Sequence, residues 1–205
     1  MLLLTSAGFL TAGIAGRDDP LTGPAATPQA TQPAAGDTPA PNPTPTAVVA
    51  RSVPVALRIP AINVSVSLSA LGLNADKTVQ VPTNYQEPGW YRLGPTPGEV
   101  GSSVILGHVD DKTGPAVFYR LKTLKPGDKV DVTLADGVVA HFAVKKVAAY
   151  PKKEFPAREV YTSHGYSALQ LVTCGGQFDT RTGSYLSNIV AYTTLVSTTP
   201  AGSAG

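Results

Sequence analysis

The chain is 205 residues long and only 15% charged, with a formal net charge of +2 and no dense block of lysine or arginine, so nucleic acid is not an expected partner. Its single cysteine excludes an internal disulfide. A folded part of this size buries about 70% of the surface its unfolded chain exposes, so it needs neither disulfides nor a structural metal to hold together.

Residues 1–16, MLLLTSAGFLTAGIAG, are apolar and carry no charge before Arg17. They read as the apolar part of an export signal or of a membrane anchor. The run is shorter than the roughly 20 residues a spanning helix takes, and it lacks the basic residues that usually precede an exported segment. Residues 17–51 are dominated by Pro, Ala, Thr and Gly, as in TPAPNPTPT, and hold too few bulky apolar groups to offset the entropy of ordering. They are expected to be a disordered or polyproline-like spacer that holds a domain away from a surface. The folded domain is expected over 52–197, with 198–205 as a flexible tail.

From Val53 onward short β-type runs alternate with turn signals. The predicted strands are VPVALRI, INVSVSL, VGSSVILG, DKVDVTL, VVAHFAVKKVAAY, SALQLVT and NIVAYTTLV. In DKVDVTL, Val130, Val132 and Leu134 share one face and Asp131 and Thr133 the other. LKPGDKV and LADGVV supply Pro-Gly-Asp and Asp-Gly turns, the second closing a hairpin. Only Ala116–Leu124, AVFYRLKTL, reads as helical, over about two turns. The fold class is mostly β, a barrel or a sandwich, and the pattern by itself does not choose between them.

The chemistry centres on Cys174, in LQLVTCGGQFDTR. A lone thiol in an exported protein is exposed to oxidation, which asks for a reason to keep it. One reading makes it a small buried hydrophobe. The other makes it a nucleophile, because Gly175 and Gly176 remove bulk beside the sulfur and let a substrate backbone approach. A nucleophilic thiol needs a base or a positive charge nearby. Of the three histidines, His141 lies on the polar face of a strand and His164 in the turn-like YTSHGYS. His108 ends the apolar strand of SSVILGHVDDKTG beside Gly107, where a polar loop with Asp110 and Asp111 begins, and strand ends feeding loops are where reactive groups are mounted. Arg181 lies seven residues beyond Cys174 and carries a permanent charge suited to an oxyanion or a peptide carbonyl. Histidines and cysteine are too scattered for a zinc motif, so no metal is expected, and nothing calls for a cofactor.

ILGHVD, LVTCGG and the arginine-bearing segment before the last apolar strand resemble the sortases. RIPAINVSVSLSALGLNADKTVQVP, GWYRLGPTPGEVGSSVILGHVDDKTGPAVFYRL, LKPGDKV and LVTCGGQFD resemble the actinobacterial class F group from about Val53 to Val196. The resemblance implies an eight-stranded β-barrel with one or two short helices. It implies a membrane-anchored cysteine transpeptidase at the extracellular face of the cytoplasmic membrane, most simply a monomer. Such an enzyme cuts a Leu-Pro-X-Thr-Gly-like sorting signal after the threonine and passes the acyl group to an amine of the wall precursor or of a pilin. Carried onto this sequence, Cys174 is the nucleophile, His108 the general acid and base, and Arg181 the oxyanion-stabilising cation, with Thr173 and Gly175 contacting substrate. The sequence departs from the family near the final strand, where SYLSNIV holds no arginine and Arg181 is the only one after Cys174.

Two other readings compete. An L,D-transpeptidase would carry Ser-His-Gly-Cys, and here SHGY puts Tyr166 at the thiol position. A secreted β-barrel binding module on a Pro-rich stalk would keep Cys174 buried and inert.

Overall fold

A computed structural model describes residues 49–202. The apolar segment 1–16 and residues 17–48 of the expected spacer lie outside the described residues. In chain order the strands are β1 (Pro54–Ile59), β2 (Val64–Ser67), β3 (Ser69–Leu71), β4 (Gly89–Tyr91), β5 (Gly101–Leu106), β6 (Asp110–Asp111), β7 (Gly114–Pro115), β8 (Lys129–Leu134), β9 (Val139–Pro151), β10 (Ser167–Asp179) and β11 (Ser184–Thr199). One α-helix, α1 (Ala157–Tyr161), and three single-turn 3-10 helices complete the elements among the described residues.

Nine strands form one sheet in the order β2-β1-β8-β9-β11-β10-β5-β4-β3, and β6 pairs with β7 as a separate ribbon. The two edge strands, β2 and β3, are consecutive in the chain and separated only by Leu68. A sheet whose opposite edges are joined by one residue has to curl until they meet, so it is a nearly closed barrel, which also deals with the exposed-edge problem. Most neighbours are antiparallel, but β10 runs parallel to β5. That parallel pair positions the site described below.

The period of two decides what faces the interior. Leu169 and Leu171 of β10, Ile105 of β5, and Val130, Val132 and Leu134 of β8 point inward with Phe142 and Val144 of β9, forming the main core. On the opposite face, Val104, Val172, Val190 and Tyr192 form a smaller cluster, which Phe155, Tyr161 and the fully buried Val160 cover from the segment around α1. The Asp-Gly hairpin forms as expected: Leu134 and Val138 close it at 2.8 Å, with Gly137 at φ +84°.

Three local expectations differ. Ala116–Leu124 is not a two-turn α-helix but irregular turns ending in a 3-10 turn at Leu121–Thr123. From Phe118 on, its buried residues, Phe118, Leu121 and Leu124, recur every third position, which is the 3-10 period, and Pro126 then forces the chain to extend. β10 does not stop before Cys174 but continues to Asp179, across a register shift between Gly175 and Phe178. β11 runs to Thr199, so residues 198 and 199, expected in the tail, pair with Ala140 and Val139.

Candidate active site

The parallel register of β5 and β10 ends with Leu106 opposite Val172, and the Gly107 N–H adds one more ladder bond to Val172 O at 3.0 Å. Two residues beyond the last matched pair, each chain reaches a reactive side chain: His108 on one, Cys174 on the other. Neighbouring strands lie about 4.8 Å apart. By the period of two, Leu106 and His108 share a face, as do Val172 and Cys174, and it is the face opposite the main core. Residues 66 apart in sequence are thus brought to the same end of the sheet. Both line one cavity of about 540 Å³ with Tyr85, Lys112, Phe178 and Tyr185.

Packing leaves no room for a side chain at Gly107 or Gly175. A Cβ on Gly107 would sit 2.5 Å from the Phe118 ring, and one on Gly175 2.6 Å from Ile189 Cγ1. Gly176, at φ +78°, carries the bend that follows.

His108 is held on two sides. Its Nε2 lies 2.7 Å from Pro82 O, and its ring stacks on Tyr85 with centroids 4.3 Å apart. A carbonyl only accepts, so Nε2 carries the hydrogen and Nδ1 is the nitrogen left to gain or lose a proton. Cys174 is a half-buried free thiol, neither sealed in the core nor fully exposed. It also borders a second cavity of about 230 Å³, lined by Phe118, Tyr119, Lys122, Thr173, Gly175 and Gly176 among others. Thr173 is buried at 4% exposure, and its Oγ1 has no hydrogen-bond partner among the described residues.

Arg181 is not on either cavity wall. Its side chain is 88% exposed and its Nη2 lies 3.8 Å from Asp179 Oδ2, within the turn that joins β10 to β11. Gly183 and Ser184 of the same turn do border the larger cavity. The cations that line the cavities are Lys112 in the larger and Lys122 in the smaller. The other histidines are tied elsewhere: His141 Nδ1 to Asp131 at 2.7 Å and Nε2 to the Thr199 hydroxyl, and His164 Nε2 to Glu159 O at 2.8 Å. Among the described residues, no group of three or more His, Cys, Asp or Glu side chains is arranged to hold a metal ion.

Sequence reasoning missed Tyr185. Its hydroxyl donates to the Asp110 carboxylate, and its ring packs edge-on against Phe178 at 5.1 Å. That hydrogen bond, with burial and the charge of Asp110 added, pushes the phenol up to about 12. The readable signal was the hairpin: an Asp-Thr-Arg-Thr-Gly turn sets Tyr185 opposite Phe178, a few residues past the thiol.

A thiol and an imidazole that border one cleft of a β-barrel are the pair of groups that cysteine acyl transfer uses. The sortase-domain family model matches residues 57–196, and the chain belongs to the sortase family, whose members are cysteine transpeptidases of the cell surface. Solved structures agree on the fold. Sortase A from Corynebacterium diphtheriae, a lid mutant, is 17% identical with a TM-score of 0.55, covering 72% of each chain. The Listeria monocytogenes sortase A is also 17% identical, with a TM-score of 0.55, over 73% of this chain and 90% of that one. Sortase C1 from Streptococcus agalactiae is 19% identical, with a TM-score of 0.54, over 69% of this chain and 66% of that one. No curated protein matches the sequence.

Proposed function

We propose that the protein is a class F-type sortase, anchored at the cell surface through its N-terminus. It cleaves a Leu-Pro-X-Thr-Gly-like sorting signal between Thr and Gly and joins the threonine carbonyl to an amine of the wall precursor or of a pilin. The observation that carries this reading is the shared cavity of His108 and Cys174, built by the β5–β10 register.

The reaction divides into two halves. In the first, the Cys174 sulfur bonds to the threonine carbonyl carbon while its proton passes to His108 Nδ1. The carbon–nitrogen bond to glycine then breaks, and the departing amine takes that proton. An acyl-thioester remains. In the second half an incoming amine loses a proton to His108 as its nitrogen bonds to the carbonyl, and the sulfur leaves and recovers a proton. Thr173, whose hydroxyl is otherwise unbonded, and the backbone of Gly175 contact the acyl donor. Arg181 acts from the rim, on the turn whose Gly183 and Ser184 border the cavity.

A library of sorting-signal peptides, incubated with the protein with and without a primary-amine acceptor and read by mass, tests the proposal. The expected result is one scissile bond, Thr-Gly, and a transfer product only when amine is supplied. Cleavage at another bond, or no cleavage of any such peptide, contradicts it.

A further inference from the structure

Beyond Gly107 the chain leaves the β5–β10 ladder, and no sheet hydrogen bond holds the His108 segment against the strand that carries Cys174. Residues 108–118 close on themselves through Ala116 N–H to Val109 O at 3.0 Å and Phe118 N–H to His108 O at 2.9 Å. They reach residues 82–86 through His108 to Pro82, Val117 N–H to Tyr85 O, and Gln86 to Pro115 O. Toward the β10–β11 hairpin there is one hydrogen bond among the described residues, from the Tyr185 hydroxyl to Asp110.

The two partners suit a fixed tie. Asp110 is in no ion pair among the described residues, so Tyr185 is its one side-chain partner there. The phenol, pushed up to about 12, keeps its proton at neutral pH and so remains a donor. Phe178 fixes the ring from the side. Both residues border both cavities, and the only other residues common to the two are Val109 and Cys174.

We propose that Tyr185 and Asp110 are positioning residues: their hydrogen bond sets the spacing of His108 from Cys174 and forms the partition between the two cavities that meet at the thiol. The proposal rests on the reading that these two groups carry the reaction. Positioning of this kind is felt in turnover more than in binding, because the reacting atoms must meet within a fraction of an ångström in the transition state.

The test is steady-state cleavage of a sorting-signal peptide by the full chain, with melting temperature alongside. Tyr185→Phe keeps the ring and removes only the hydroxyl, and it is expected to lower kcat about tenfold or more with KM within about twofold and an unchanged melting temperature. Asp110→Asn keeps a carbonyl acceptor and is expected to stay within about threefold of the parent, whereas Asp110→Ala falls to the level of Tyr185→Phe. The double variant Tyr185→Phe with Asp110→Ala is expected to be no slower than either alone, as for two ends of one interaction. A Tyr185→Phe enzyme with parental kcat, losses that multiply in the double variant, or an Asp110→Asn enzyme as slow as Asp110→Ala would each overturn the tie. Failure of the underlying reading looks different: Cys174→Ala would still cleave the peptide.

Discussion

The thiol of Cys174 is useful only with a proton acceptor at hand, and His108 offers one nitrogen for the purpose because Pro82 O engages the other. Turning the ring over would keep the Tyr85 stack but give up the bond to the carbonyl. Arg181 was legible in the sequence only as the sole arginine after Cys174. What the sequence does not carry is the distance between the turn and the cleft, and the described geometry leaves the guanidinium exposed beside Asp179. Acting from the rim, it should matter to the acyl donor: Arg181→Ala is expected to lower kcat/KM about tenfold, roughly 1.4 kcal/mol. Peptide-cleavage kinetics with an unchanged rate would remove Arg181 from the scheme and leave Lys112 and Lys122 as the cavity cations to vary next.

Strand ends do most of the construction. β5 and β10 were readable because long β-type apolar runs leave little choice of conformation, and both appear as strands. Their adjacency was not readable, because parallel pairing joins segments distant in the chain and leaves no local trace. The short strands β3, β4, β6 and β7 were missed for a related reason: two or three residues are too few to show a period. α1 was missed likewise, being five residues after Pro156 with Val160 as its buried contact. Gly175 was read as leaving space beside the sulfur; the packing of Ile189 against it, like that of Phe118 against Gly107, gives a second reason for a glycine that the sequence does not show. That packing is measurable. In Gly107→Ala the new methyl meets a fully buried Phe118 that has nowhere to retreat, so unfolding free energy should fall by about 1–3 kcal/mol. Denaturant unfolding with an unchanged midpoint would mean that the space is open after all.

At the scale of the molecule, one curled sheet separates two tasks. Its inner face holds the main core, and at the ends of β5 and β10 lies the cavity that His108 and Cys174 border. The sequence disclosed a β-rich domain and, through the motifs around His108 and Cys174, the family; closure follows from β2 and β3 being joined by Leu68 while lying at opposite edges of the strand order. The central claim is that Cys174, served by His108, carries the acyl group between donor and acceptor. Its most direct test is the intact mass of the protein after brief mixing with a sorting-signal peptide in the absence of amine. The account predicts an added mass equal to the acyl fragment, mapping to Cys174, discharged by an amine, formed far more slowly in His108→Ala and absent in Cys174→Ala. Peptide cleavage by the Cys174→Ala protein, or an adduct mapping to any other residue, would contradict it.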